Sequence, residues 1–373
     1  MNSRIIVTTA FGFLCLTNPP VMAQRTFPLR PNLALGTEGK RSASLSFGDL
    51  DGDGDLDAVV ANGRHWPEQN EVFLNNGDGA FLISWDLGNE RDTSYATELS
   101  DLDHDGDLDV AVGNDRVRKT IFLNQGSGKF LFGGTFGRPD VNTRSLTLAD
   151  LNGDGFADIL VTNRGEQNAI YFNNGKAQFL KSVPFGSARD STISVAAADI
   201  EGDGDLDLVL ANRDGQPNAV YFNDGKAGFS QSRPYGTGQD ETRAVRVGDL
   251  NGDGKLDLVN ANIGQDNAVY FGDGKGNFDA GVQFGDPRGP SYNLELADLD
   301  LDGHLDIVIA NAGTLNAVYF NQGDGRRYKQ VLFGLEKGVT YGLAVGKLNR
   351  DEYPDIGTAN SDGINAIFLS RPE

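Results

Sequence analysis

From residue 143 to residue 185 the chain switches between polar and apolar positions in four short bursts. Residues 143–149 alternate apolar with polar, 159–162 form a short run rich in β-branched residues, and 168–173 and 179–185 complete the set, with Gly175 and Gly186 as turn signals between and after them. Period-two runs bounded by Gly, Asn and Asp read as β-strands. No stretch beyond the first residues sustains the 3.6-residue period of an amphipathic helix.

The same four bursts recur. Each set carries one acidic nonapeptide, first seen at 49–57 as Asp-Leu-Asp-Gly-Asp-Gly-Asp-Leu-Asp. Copies start at residues 49, 101, 150, 199, 249 and 298, and a worn copy starts at 347. Four strands per unit of about 40 to 50 residues is the pattern of a propeller blade. The pattern predicts an all-β fold, a seven-bladed β-propeller with four strands per blade, in units beginning near 43, 95, 144, 193, 243, 292 and 341. The last unit stops after its third burst, at 365–369, while residues 26–36 carry a fourth-strand pattern. The N-terminal strand is therefore expected to complete the last blade, which hides the edges of an open array.

Residues 1–23 stand apart. Arg4, an apolar run at 5–16, Pro19-Pro20 and a small-residue site ending at Ala23 read as a cleaved signal peptide, with one domain over 24–373. The apolar run is short for a membrane span. Secretion or a periplasmic location follows, with no membrane insertion after cleavage. The sole cysteine, Cys15, lies in that leader, so neither disulfides nor a thiol nucleophile are available to the mature chain.

A formal charge of -21 disfavours nucleic acid and anionic membranes as partners. Much of that charge sits in the nonapeptides, which hold 25 of the 53 acids. A loop D-x-D-x-D-G-x-x-D offers side-chain oxygens at positions 1, 3, 5 and 9 and a carbonyl at position 7, a donor set that suits calcium. The candidate ligands are Asp49, Asp51, Asp53, Asp55 and Asp57; Asp101, Asp103, Asp105, Asp107 and Asp109; and Asp150, Asn152, Asp154, Phe156 and Asp158. They continue as Asp199, Glu201, Asp203, Asp205 and Asp207; Asp249, Asn251, Asp253, Lys255 and Asp257; and Asp298, Asp300, Asp302, His304 and Asp306. The residue at position 7 contributes only its carbonyl. Position 12 is apolar or Asn and belongs to the next strand, which excludes an EF-hand. About six Ca2+ sites are expected. The seventh copy has Lys347 at position 1 and Glu352 in place of glycine; it is expected to be empty, with the Lys347 ammonium standing in for the ion.

These loops, with Phe136-Gly137, Phe185-Gly186, Phe284-Gly285, Phe333-Gly334 and the variant Tyr235-Gly236, resemble the FG-GAP/VCBS repeat family over about 45–373. That family includes the integrin α-chain propeller and many bacterial exported proteins. The Gly-Ala-Pro element is absent, as in the bacterial variant. The resemblance implies calcium-stabilised blades and a role in adhesion or recognition.

No Ser-His-Asp order, His-metal cluster or phosphate loop is present. The face opposite the acidic loops carries Arg144, Arg164, Arg213 and Arg243, and asparagines at 62, 114, 163, 212, 262, 311 and 360. Asn163 and Asn212 beside the arginines are candidate ligand-binding residues, although such asparagines also close turns. Two main readings remain open at this point. One is a recognition module for an extracellular glycan or protein. The other is a polysaccharide lyase or hydrolase using acids such as Asp92, Asp140, Asp190 and Asp240 with those arginines. A purely structural assembly part is a weaker third. The insertion at 64–70, with His65 and Trp66, is the main excess of length within the repeats.

Overall fold

The computed structural model describes residues 24–373; residues 1–23, where a signal peptide is expected, lie outside the described residues. Every regular element among them is a strand. The third unit shows the recurring build: Thr143–Ala149, Asp158–Asn163, Asn168–Phe172 and Lys181–Phe185 pair antiparallel in sequence order. The first strand lines a central channel. The second is buried along its whole length, and the fourth is mostly exposed. That gradient explains the second burst, which needs apolar residues on both faces.

The apolar cores lie between units rather than within them. Ala96, Leu102, Ala111 and Ile121 of the second unit pack with Leu146, Ile159 and Val161 of the third. No unit buries both its faces alone, so the units depend on their neighbours.

The blades number six, which corrects the expectation of seven separate four-stranded blades. Five sheets have four strands each, and one has six. The six-stranded sheet runs in the order Thr340–Gly346, Asp355–Phe368, Ala34–Gly48, Asp57–Asn62, Glu71–Leu74 and Ile83–Asp86, so the first and last units share it. The cause is the unbroken strand Ala34–Gly48. Its Ala34 and Leu35 pair with Ala366 and Asn365 of the last unit, Lys40 and Arg41 pair with Gly363 and Ser361, and residues 42–48 pair with Asp57–Asn62. The chain ends also meet: Arg25–Thr26 pairs with Arg371–Pro372. Phe27 packs with Phe333 and Phe368.

A belt of side-chain hydrogen bonds stitches unit to unit. The Asn163 N–H donates to Asn168 Oδ1 (2.7 Å), and Asn168 Nδ2 donates to Thr192 Oγ1 of the next unit (2.9 Å). Thr192 then donates to Asn212 Oδ1 (2.8 Å), where the motif restarts. At the ring junction Asn365 Nδ2 donates to Ser42 Oγ (2.9 Å). In the second unit Lys119 replaces the relay asparagine and donates to the Arg138 carbonyl (2.6 Å).

Asn365 is buried, and its Oδ1 also accepts the Asn360 N–H. Asn365→Ala strands that N–H, at about 1–3 kcal/mol, and removes the donor to the Ser42 hydroxyl, which keeps its own bond to Asn62. Urea denaturation should show a lower midpoint for Asn365→Ala and almost none of that loss for the exposed Asn174→Ala. Equal midpoints for the two variants would mean that the belt does not hold the ring.

Candidate functional site

Two ends of the channel carry chemistry. At one end the acidic nonapeptides fold as turns held by their own carboxylates. In the first, Asp49 accepts N–H bonds from Gly52 (2.8 Å) and Gly54 (3.1 Å), and Asp53 accepts the Asp55 N–H (2.9 Å). Position 6 is left-handed, as at Gly54 (φ 92°) and Gly106 (φ 99°), which glycine adopts without strain. Position 4 is left-handed too, even where it is His104 (φ 68°) or Leu301 (φ 62°). The His104 ring lies exposed against Phe156 of the neighbouring loop.

Position 9 has a second task that its place in a donor set does not reveal. Asp57 is buried; one of its oxygens accepts the Leu50 N–H (2.9 Å) and the other the Asn75 N–H (2.8 Å). The same two bonds recur at Asp109, Asp158, Asp207, Asp257 and Asp306. They recur in the seventh loop, where Asp355 takes Leu348 and Ser370. Burial pushes these carboxyls up, to about 6 at Asp57 and Asp109 and about 8 at Asp306.

The donors converge in three loops. Carboxylate oxygens of Asp49, Asp51 and Asp53, of Asp101, Asp103 and Asp109, and of Asp298, Asp300 and Asp302 lie within 4.8 Å of one another. Asp103 Oδ1 and Asp300 Oδ1 are buried without a hydrogen-bond partner. Burial first, then the neighbouring acids, pushes both carboxyls above their ordinary value. Orphaned, mutually repelling oxygens fit a hard cation. Lys347 of the seventh loop is exposed and, among the described residues, makes no ion pair. Arg350 lies 3.5 Å from Asp78 instead.

The opposite end is organised by bulges. In every unit the pairing of the first strand slips by one residue just after its opening Ser or Thr. The slipped residues are Ala43, Tyr95, Arg144, Ile193, Arg243, Tyr292 and Tyr341, and all seven line the central cavity of about 630 Å³. A bulge re-aims a side chain, and here seven are turned toward one axis. Arg64, from the insertion, joins them. Arg64 lies over Tyr341 (3.6 Å), Arg243 over Tyr292 (4.6 Å) and Arg144 over Tyr95 (4.4 Å). The Tyr292 and Tyr341 rings meet edge to face at 4.5 Å. Tyr95 hydroxyl and His65 Nδ1 share a hydrogen bond of 2.8 Å. Trp66 is exposed, with Arg41 at 5.4 Å.

Of the predicted ligand-face residues, Arg144 and Arg243 reach this mouth. Arg164 and Arg213 are tied up elsewhere, with Asp214 (2.7 Å) and Glu241 (3.2 Å). Asn163 and Asn212 are buried and turned inward: their amides donate to the Gln167 and Pro217 carbonyls and accept from Thr143 and Thr192. They close turns. Most of the acids named for the catalytic reading are engaged as well. Asp140 pairs with Arg138 (2.9 Å), while Asp190 and Asp240 accept from Ser187 and Thr237. Asp92 is half-buried; its carboxyl is pushed up by burial and Glu90. Tyr95, Tyr292, Tyr341 and Arg64 escaped sequence reasoning. Their signal was positional: the first three directly follow the Ser or Thr that opens a unit.

Deeper in the cavity Arg246 pairs bidentately with Glu295, and Glu98 lines the same wall. Burial raises the Glu98 carboxyl from 4.5 to about 8, Arg246 opposing and Glu295 adding to the shift. A carboxyl raised on folding favours the folded state at low pH, and that contribution fades as pH rises toward the folded pKa. Glu98→Gln should therefore flatten the decline in melting temperature between about pH 5 and 8. Parallel curves for the two proteins would show that Glu98 is already ionised at neutral pH.

The FG-GAP-like repeat family matches the chain at 49–112, 101–161, 150–210, 199–260, 249–309 and 298–358. No curated protein matches the chain. Among solved structures, BBS1N in complex with ARL6DN is 14% identical, with a TM-score of 0.61 over 93% of this chain and 97% of that one. A lectin of Agrocybe aegerita, described as recognising non-reducing terminal N-acetylglucosamine, is 21% identical, with a TM-score of 0.58 over 87% of this chain and 86% of that one. Chaetomium thermophilum Raptor gives a TM-score of 0.59 at 14% identity, over 93% of this chain and 30% of that one. At these identities the likeness is one of fold.

Proposed function

The chain belongs to the FG-GAP-like repeat family, and from that premise we propose that it is an exported, calcium-stabilised recognition module for an extracellular glycan or protein. The observation that carries this reading is the bulge ring. Seven repeats each spend one irregularity on turning a side chain into a common mouth, and five of those seven are Tyr or Arg. Tyr and Arg are the residues that dominate recognition surfaces. The fold shared with a lectin makes glycans the first class to try.

Calcium would be held in the first six nonapeptides by side chains at positions 1, 3, 5 and 9 and the carbonyl at position 7. When bound it supplies charge neutralisation and a cross-link across each turn. The loops already place position 1 and position 5 oxygens by backbone hydrogen bonds, so little has to move. A site kept at 100 times its dissociation constant stabilises the fold by about 2.7 kcal/mol. Chelation should lower the melting temperature strongly, and added calcium should restore it. Elemental analysis should find about six ions per chain, and about five in Asp101→Ala. A melt indifferent to chelator would leave the loops as hydrogen-bonded turns only.

Recognition is tested by incubating the calcium-loaded protein with a panel of extracellular polysaccharides, followed by mass spectrometry of retained and released material. Intact polymer should be retained. New short fragments would replace this reading with the lyase or hydrolase one, and Asp92 would be the first acid to substitute. If every polymer flows through unchanged, glycan recognition fails and a protein partner takes its place.

A further inference from the structure

Arg64 and Arg243 are anomalous in a chain of charge -21. Three other arginines of this face have carboxylates: Arg144 has Asp115 (3.3 Å), Arg164 has Asp214 and Arg213 has Glu241; Arg116, Arg118 and Arg189 have none but are exposed to solvent. Among the described residues, Arg64 and Arg243 form no ion pair within 4 Å, and the Nε of each is buried without a hydrogen-bond partner. Their planes rest on tyrosine rings instead, which positions a guanidinium without neutralising it. Burial and the nearby Arg213 push Arg243 down to about 10. Arg64 and Arg243 converge on one ring, Tyr341, at 3.6 and 5.9 Å from its centroid. The carboxylates near the mouth, Asp115 and Glu241, are already spent on Arg144 and Arg213, and Glu98 and Glu295 flank Arg246.

We propose that Arg64 and Arg243 form an anion-binding site at the channel mouth that takes the carboxylate or sulfate of an acidic saccharide. This deepens the recognition reading and rests on it for the saccharide. Planar guanidinium forks match both groups. A cavity of about 630 Å³ accommodates a sugar residue and excludes a folded partner. Its further lining includes the Ser194 hydroxyl and the Asn293 amide, which suit a polyol. Acid-bearing peptide is the competing source of the same chemistry, and the test separates them.

The test uses the calcium-loaded full mature chain, with calorimetry and melting in four probes: glucuronate, glucose 6-sulfate, neutral glucose and a hexaglutamate peptide. The two acidic sugars should bind and glucose should not, and Arg64→Gln/Arg243→Gln should weaken them by about tenfold or more for each guanidinium removed. Arg243→Lys should keep part of the affinity. Folding of the double variant is checked by its melt in chloride, which should match or exceed that of the wild type because two unpaired charges are gone. Sodium sulfate should then raise the wild-type melting temperature more than that of the double variant at equal ionic strength. Equal sulfate shifts, or acidic-sugar binding unchanged in the double variant, would overturn the site even if polysaccharide is still retained elsewhere. Binding of the acidic sugars alongside an inert polysaccharide panel would keep the anion site and sink the wider recognition reading. Hexaglutamate binding without either sugar would overturn the saccharide assignment.

Discussion

The ring depends on one constraint: a unit cannot satisfy its own polar edges, so the groups at each seam are completed by the neighbour. At the mouth end the relay runs from Asn168 to Thr192 and from Asn365 to Ser42. At the acidic end Asn124 Nδ2 donates to the Leu50 carbonyl of the preceding unit, and Asn75 does the same to Leu348. Apolar burial supplies most of the driving force, but it is non-directional. The buried amides fix how far each sheet sits from the next, because a stranded donor or acceptor costs more than the bond itself gains.

Seen this way, the position-nine aspartate explains why the seventh loop survives in worn form. Lys347 and Glu352 replace the position-one carboxylate and the left-handed glycine, yet Asp355 still collects the Leu348 and Ser370 N–H groups. The Leu348 carbonyl in turn receives Asn75. A loop can lose the features that suit a cation and keep the residue that anchors a seam. The two tasks are separable, and the seventh unit separates them.

Much of this was legible in the sequence because the repeat imposes the same residues at the same phase. The strands, their order and the recurring acidic turns follow from the period. The blade count did not. At residues 361–363 the chain turns, with Asp362 left-handed (φ 59°). Alternation could not show that Lys40 and Arg41 pair across that turn and weld the first and last units into one sheet. The asparagines misled for a related reason. A polar residue at a loop position looks the same whether its amide faces solvent or, as at Asn163, closes the turn beneath. The mouth residues were hidden by the bulge, which breaks the two-residue period at the point where Tyr95, Arg144 and Arg243 are re-aimed.

The electrostatic layout follows from the same construction. Hairpins that join first and second strands all emerge at one end, so acids repeated in phase accumulate there. Bulges at the start of the first strands all fall at the other end, so whatever they carry accumulates around the axis. Periodicity turns one substitution per unit into a ring, and identity at that position is free to vary because the bulged residue is not part of the ladder. Three tyrosines and two arginines have settled there, with Ala43 and Ile193 completing the seven. Arg144 is balanced by Asp115; Arg243, on the same kind of bulge, is not. A structural role would be served equally well by a neutral side chain at that position, without the cost of a half-buried guanidinium that has no counter-charge. That asymmetry between two equivalent positions places the chemistry of the mouth in the ring itself rather than in the general polarity of the face.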